Sequence, residues 1–339
     1  MTQNKFVIII ISLLIVLYSP IGFANKKSNT THARPIQATL VVDGKTGKIL
    51  QASNANTRIY PASLTKVMTL YLLFEALDSG KIDMNHKFTV SKYASEARPL
   101  KLFLKPGEKI DTKTAIQAIT IKSANDVSRA VAEGLAGSEA NFAKIMTKRA
   151  KQLGMKHTNF TNASGWHDPK QVSTAIDLAK LSIAIERDFP QYFHFFKQTS
   201  FTYKGKTILG HNKVTENYPG ATGLKTGYHI PAGCNLITTV TRNGKSLVAV
   251  ITGGKSAASR NQKMVALLDS HFGVKHTPII QTAAKKQGKI VKHSKLAKLD
   301  KKTKLSKPPI STKLAKASSN SKKKIRKVAN KPSNKKKIS

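Results

Sequence analysis

Cysteine is all but absent from this 339-residue chain, Cys234 being the only one, so a disulfide scaffold is excluded. Acids are scarce as well: 17 Asp+Glu stand against 58 Lys+Arg, a net charge of +41. Aromatics make up 6% of the residues, with a single tryptophan. Long apolar runs are missing except at the N-terminus, where Lys5 precedes the stretch Phe6 to Tyr18. That stretch falls short of the ~20 residues a membrane span requires. With the breaker Ser19-Pro20 and the small residues of Gly22-Phe23-Ala24 behind it, it reads as an export signal cleaved after Ala24, with a retained anchor as the alternative. Either way the chain is exported, to the periplasm or cell envelope. Metal and nucleotide motifs are also lacking. The ten histidines show neither His-Glu-x-x-His nor Cys/His spacing, so solvated or hydrogen-bonded histidines account for them. Gly244-Lys-Ser and Gly254-Lys-Ser look like the end of a phosphate-binding loop, but the glycine required five positions earlier is Thr239 in one and Ala249 in the other. No cofactor and no metal is expected.

The positive charge is unevenly spread. Residues 276–339 carry 21 Lys+Arg and one acid, Asp300, with no Phe, Tyr or Trp. Such a segment buries too little apolar surface to offset its ordering entropy and reads as a disordered, Lys-rich tail. Its lysine blocks at 322–324 and 335–337, with Pro308-Pro309 interrupting any periodicity, suit an anionic lipid surface or wall polymer better than a bilayer core. A merely solubilising tail is the alternative, and export argues against nucleic acid as a physiological partner. The organisation expected is a signal peptide (1–24), a polar linker (25–35), one catalytic domain (36–275) and the tail (276–339).

Within that domain, Ala38–Asp43 and Lys48–Ala52 flank Gly44-Lys-Thr-Gly47 as a hairpin. Val67, Leu70, Tyr71, Phe74 and Leu77 recur at three and four residues until Gly80, predicting a helix over 62–79. Further helices are predicted at 113–122, 124–135, 139–153, 174–187 and 257–272. Strands are predicted at 200–203, and at 235–241 and 246–252 around the hairpin signal Asn243-Gly244. Strands at both ends with helices between imply an α+β domain: an antiparallel sheet flanked by helices, its first and last strands adjacent. Cys234 lies among strand-like residues and reads as buried packing.

Ser63-Leu64-Thr65-Lys66 is the first chemically suggestive motif. A serine and a lysine three apart at a helix start share one face, and the amine can serve as general base if burial or a neighbouring cation lowers its pKa. Alone the spacing is weak, for it recurs in the tail at Ser319, Ser321 and Ser333. Ser63 and Asn125 also read as helix-capping residues, and Arg260 as an exposed helix charge. Ser123-Ala124-Asn125 adds a second hydroxyl and a carboxamide, and Lys225-Thr226-Gly227 adds a cation and a hydroxyl. Ser259-Arg-Asn261 and Lys45-Thr-Gly47 match the same short patterns, the latter most economically as a turn. Only the set 63–66, 123–125 and 225–227 follows the order of a serine acyl-transferase. Trp166, Phe193, Phe195 and Phe196 read as packing.

Over about residues 36–275 the chain resembles the low-molecular-mass penicillin-binding proteins, the serine-type D-alanyl-D-alanine carboxypeptidases of peptidase family S11. Tyr60-Pro-Ala-Ser-Leu-Thr-Lys-Val-Met-Thr69, Leu153-Gly-Met155, Ser173-Thr-Ala175 with Asp177, and Tyr218-Pro-Gly220 before the K-T-G all fit that family. Ala124, Thr222 and His229 depart from its common Gly, Asp and Thr. The resemblance implies a β-lactamase/transpeptidase-like fold and hydrolysis of the terminal D-alanine from peptidoglycan stem peptides. It implies Ser63 as nucleophile, Lys66 as its base, Ser123 as proton relay, and an oxyanion site from the N–H groups of Ser63 and Tyr228. Asn125, Lys225, Thr226, Gly227, Tyr228 and Arg260 would contact substrate, and β-lactams would be trapped on Ser63. A DD-endopeptidase cutting crosslinks, a β-lactamase and a non-catalytic wall-binding protein are the alternatives, although no deacylating-glutamate motif lies between Ser123 and Lys225.

Overall fold

A computed structural model describes residues 35–275. The expected leader, nearly all of the linker, and the basic tail lie outside the described residues.

The chain opens with the predicted hairpin, β1 (Thr39–Asp43) and β2 (Ile49–Ser53). Asp43 closes its turn by accepting from the Thr46 backbone N–H and hydroxyl at 2.8 Å each, and Gly47 supplies a φ of +72°. A 3-10 turn (Ala62–Thr65) then leads into α1 (Lys66–Asp78). Two short strands, β3 (Lys87–Thr89) and β4 (Lys109–Asp111), pair around α2 (Lys92–Ser95). The helical layer follows as α3 (Thr112–Gln117), α4 (Asn125–Ala136), α5 (Glu139–Gln152), α6 (Ala175–Asp188) and the short α7 (Pro190–Phe193). A small ribbon, β5 (Ser200–Tyr203) and β6 (Lys206–Leu209), and α8 (Lys213–Asn217) come before the three long strands β7 (Ala221–His229), β8 (Gly233–Arg242) and β9 (Lys245–Gly254). The last element is α9 (Ala257–Phe272), started by Ser256 in a capping box with Ser259.

Five strands form one antiparallel sheet in the order β2-β1-β9-β8-β7, so the first strand does pair with the last. Strand β9 shows why the sheet is covered on both faces. Leu247, Ala249 and Ile251 point into one core with Val41, Leu236, Met264 and Leu268, while Val248 and Val250 point into the other with Leu40, Ile237 and the helical layer. This is the two-residue alternation of a strand, with both faces apolar because both are buried. Helix α1 runs through the larger core and is buried almost all round, from Lys66 to Leu77.

The structure departs from the sequence reading in three places. Residues 62–65 form a tighter 3-10 turn rather than the first turn of α1. The helix predicted at 113–122 changes to a π turn at Ala118–Lys122, which ends on Ser123 in the left-handed region with φ +62°. The K-T-G segment lies inside β7, a strand missing from the predicted elements; its low β-propensity residues, Gly223 and Gly227, disguise it. The segments β3, β4 and β6 are too short to carry a periodic signal.

Candidate active site

Ser63 sits in the 3-10 turn, where no side chain caps the helix end, so the capping alternative falls away. One turn on, Lys66 Nζ lies 3.1 Å from Ser63 Oγ. The amine is wholly buried. It also donates to Asn125 Oδ1 at 2.6 Å and to the backbone carbonyl of Ser164. Asn125 cannot turn its amide toward the lysine, because its Nδ2 is committed to the Arg98 carbonyl at 2.8 Å. A neutral amine has two N–H groups and one lone pair. With Asn125 and Ser164 as fixed acceptors for those N–H groups, the neutral form would have its lone pair left for the Ser63 hydroxyl. Burial first, and then the Lys225 charge, push the Lys66 pKa well below the usual lysine range, against the weaker opposing pull of Glu139 and Asp126.

The Ser164 carbonyl is held in place by the loop around it. Ala163 N donates to buried Glu139 at 2.9 Å, and the Ala163 carbonyl accepts from Thr69 at 2.7 Å. Asn162 Oδ1 accepts from the N–H of Gly165 at 2.8 Å and of Trp166 at 3.1 Å. Gly165 has φ +80°, and a methyl group on it would lie 1.9 Å from the Ala62 carbonyl, so only glycine lets the loop lie on the nucleophile's turn.

Ser123 forms the opposite wall. Its hydroxyl is buried and has no hydrogen-bond partner, which in a cleft marks a group waiting for a ligand or a proton. Asn125 follows as the first residue of α4, whose N-cap is Ala124, so it too is not a cap. Next to it, Asp126 accepts from the N–H groups of Leu102 at 3.0 Å and Leu104 at 3.2 Å, pinning the loop that brings Leu100 over the cleft.

The third wall is β7. Lys225 is buried, and its Nζ donates to the Thr226 carbonyl at 3.1 Å. Burial, with Arg260 second, pushes its pKa down to about 7. A methyl group on Gly227 would stand 3.1 Å from Ser63 N, so this strand edge runs directly against the nucleophile's turn. Arg260 is not the exposed helix charge that sequence alone allowed: it is buried, and its guanidinium donates to the Asn235 carbonyl at 3.0 Å and to Asn261 at 2.7 Å. Ser63, Ser123, Asn125, Thr226, Gly227, Tyr228 and Arg260 all line one cavity of about 520 Å³, with Lys66 and Lys225 close behind its surface.

Three residues differ from their sequence reading. Trp166 is not packing: its indole is 43% exposed and lines the cavity, unlike Phe193, Phe195 and Phe196, which are buried. The histidines are not all solvated or bonded. His167 has a buried Nδ1 without a partner, and its ring lies 5.0 Å from that of His229 on the cleft rim. His211 also lines the cavity; crowding by protein, then the cations Lys225, Arg260, Lys122 and Lys66, push its pKa down to about 4. Nothing in the local sequence of His211 signals this, because its neighbours come from distant motifs. Cys234 is buried, as expected, and touches the same cavity.

Comparison with known proteins identifies the family. The sequence model of the D-alanyl-D-alanine carboxypeptidases, peptidase S11, matches residues 25–256. The chain is 33% identical over 296 residues to the D-alanyl-D-alanine carboxypeptidase DacF of Bacillus subtilis, covering 83% of this chain and 76% of that one. It is 32% identical to DacC of Escherichia coli over 77% of this chain and 67% of the relative. Among solved structures, penicillin-binding protein 5 of Haemophilus influenzae superposes with a TM-score of 0.68 at 31% identity, over 71% of each chain. Penicillin-binding protein D2 of Listeria monocytogenes, solved with ampicillin bound, gives 0.61 at 28% identity, over 69% of this chain and 96% of that one. With a serine–lysine pair, a buried second serine and a K-T-G strand edge in one cleft, and these relatives beside it, the chain belongs to the D-alanyl-D-alanine carboxypeptidase family, peptidase S11.

Proposed function

We propose that this protein is a serine-type D-alanyl-D-alanine carboxypeptidase that removes the terminal D-alanine of peptidoglycan stem peptides through an acyl-enzyme on Ser63. The observation that carries this reading is the 3.1 Å approach of a buried, pKa-depressed Lys66 to the Ser63 hydroxyl. In the proposed reaction, neutral Lys66 takes the Ser63 proton as Oγ attacks the carbonyl of the penultimate D-alanine. The N–H groups of Ser63 and Tyr228 receive the oxyanion; one such donor is worth about 10²–10³ in rate. The C–N bond then breaks, and the proton taken by Lys66 reaches the departing amine through Ser123, whose unpartnered hydroxyl is free to pass it on. Asn125 holds Lys66 and offers its amide edge to the peptide. Thr226 and Arg260 receive the terminal carboxylate, and Lys225 supplies positive charge behind them. Water hydrolyses the ester by the reverse proton route. A β-lactam acylates the same serine and leaves slowly. Incubation with a pentapeptide should release free D-alanine; release of monomers from crosslinked dimers, with no D-alanine from pentapeptide, would point to an endopeptidase instead.

The residue 6–18 run supports export to the periplasm or envelope, and the Lys-rich 276–339 segment supports electrostatic attachment to anionic lipid or wall polymer. Screening at physiological salt has a range of about 8 Å, so many charges must act together. Envelope pelleting of the full chain should fall as salt rises, and that of a chain truncated after residue 275 should be weaker. Equal, salt-insensitive pelleting would remove the tail from the account.

A further inference from the structure

Three rings meet at the rim of the cleft, and each belongs to a different wall of the site. Tyr60 lies just before the nucleophile's turn, His167 follows Ser164-Gly165-Trp166, and His229 follows Gly227-Tyr228 at the end of β7. The His167 ring stands edge-on to Tyr60 with 5.0 Å between centroids, and it lies 5.0 Å from His229, which is 6.1 Å from Tyr60. Tyr60 is itself tied down, since its carbonyl accepts from Asn235 Nδ2 at 2.9 Å. The two histidines therefore bridge the loop that presents the Ser164 carbonyl to Lys66 and the strand end that carries the Tyr228 N–H.

The nitrogens of this pair are complementary. His229 Nδ1 accepts from the Ala232 N–H at 3.2 Å, so in the neutral ring the proton sits on Nε2, which is left as a donor. His167 Nδ1 is buried and has no partner. A buried nitrogen left unpaired costs free energy, and the donor of the neighbouring ring is the group placed to satisfy it. Hydrogen bonds of a catalytic site are often long in the free enzyme and tighten when ligand binds. Among the described residues, no third His, Cys, Asp or Glu joins the pair in a group that could hold a metal. Protonation opposes the arrangement, because a proton on His167 Nδ1 sets two donors face to face. The titratable groups facing His229 are the Tyr60 and His167 rings. Burial, then His167, push its pKa down to about 4, which keeps it neutral near pH 7.

We infer that His167 and His229 are positioning residues: with both rings neutral, His229 Nε2–H donates to His167 Nδ1, directly or through one water, and this clasp holds the Ser164 loop against the Tyr228 end of β7. The contribution to catalysis rests on the acyl-enzyme reading above and adds to it a contact that acts through the Lys66 acceptor and the oxyanion site, touching neither substrate nor nucleophile.

The test has a spectroscopic and a kinetic arm, both on the full chain. Imidazole nitrogen NMR of the histidine-labelled wild type at pH 8 should show His229 protonated on Nε2 alone and His167 with a bare Nδ1. A proton on His167 Nδ1 at that pH would overturn the clasp, and this readout stands even where a variant does not fold. In the kinetic arm, benzylpenicillin acylation of His167→Ala should be about five- to tenfold slower than wild type at pH 8, the worth of one neutral hydrogen bond. His167→Asn, which keeps an acceptor but cannot titrate, should restore most of that rate. As pH falls, the ratio of wild type to His167→Ala should shrink to within about twofold over the range in which the NMR signals show the pair taking up its proton. The ratio of His167→Asn to His167→Ala should not follow that titration. A wild-type to His167→Ala ratio that stays constant through the titration, or no rescue by His167→Asn, would mark the contact as structural only and overturn the proposal. A wild-type chain that penicillin does not acylate would sink the acyl-enzyme reading, while the imidazole spectra would still decide whether the clasp exists.

Discussion

Asn125 Oδ1 accepts a 2.6 Å hydrogen bond from Lys66 Nζ, joining the first residue of α4 to the first residue of α1. The carboxamide therefore stabilises the amine without charging it. Replacing it with a carboxylate of the same shape changes only that. In Asn125→Asp the new negative charge favours the ammonium, so the Lys66 pKa rises and less neutral base is present at any pH below it. Each unit of rise removes about tenfold of the neutral form. Penicillin acylation of this variant should fall at neutral pH and recover as pH rises, with its alkaline-rising limb moved to higher pH than in wild type. Asn125→Ala should be slower without moving the limb. Stopped-flow acylation across pH separates the two.

Lys225 carries a stability cost that depends on pH. Its folded-state pKa is about 7 against 10.5 for a free lysine. Between those values the unfolded chain binds more protons than the folded one, so this group adds stability as pH rises from 7 towards 10.5 and costs most at and below pH 7. Lys225→Met should lose activity yet melt higher than wild type at pH 7, by an amount on the order of a few kcal/mol. That advantage should shrink as thermal unfolding is repeated up to pH 10.

Gly165 tests the contact between the loop and the nucleophile's turn. Gly165→Ala forces a methyl group into the Ala62 carbonyl at a left-handed φ, so the loop must move and take the Ser164 carbonyl away from Lys66. The expected result is a loss of about 2–4 kcal/mol in stability together with a fall in acylation rate of at least ~100-fold, the size expected when a catalytic group is displaced by about 1 Å. Chemical denaturation and acylation kinetics on the same preparation check both.

Sequence carried the large helices and the serine–lysine pair well, because their signals are periodic or local. The apolar spacing of α1 and the one-sided apolar spacing of α9 each lie within one element. The K-T-G motif was legible as chemistry but not as strand, since Gly223 and Gly227 are poor strand formers, required there by close approach to Phe196 and to the nucleophile's turn respectively. What sequence could not give is what distant residues do together. In sequence Arg260 reads either as an exposed helix charge or as a substrate contact, and only its bond to the Asn235 carbonyl shows it buried. Trp166 reads as packing because tryptophans are highly buried on average, yet it stands exposed at the cavity. His211 owes its depressed pKa to its surroundings, including Lys225 and Arg260, which no local pattern connects to it.

Glu139 ties several of these parts together. Buried, it accepts from Ala163 N at 2.9 Å and Tyr93 OH at 2.6 Å and lies 3.3 Å from Arg129 Nε. Glu139→Ala removes the carboxylate from all three partners and should cost about 3–5 kcal/mol. Acylation should slow as well, because the Ala163–Ser164 segment loses its anchor. Glu139→Gln, which keeps the shape, should cost less on both counts in parallel unfolding and labelling assays.

The central claim is that Ser63, activated by Lys66, forms the acyl-enzyme. Intact-protein and peptide mass spectrometry after brief exposure to benzylpenicillin tests it most directly. The account predicts one penicilloyl adduct per chain, located on the peptide containing Ser63, absent in Ser63→Ala and strongly slowed in Lys66→Ala, with both variants folded by circular dichroism. An unmodified wild-type chain, or an adduct that persists in folded Ser63→Ala, would contradict it.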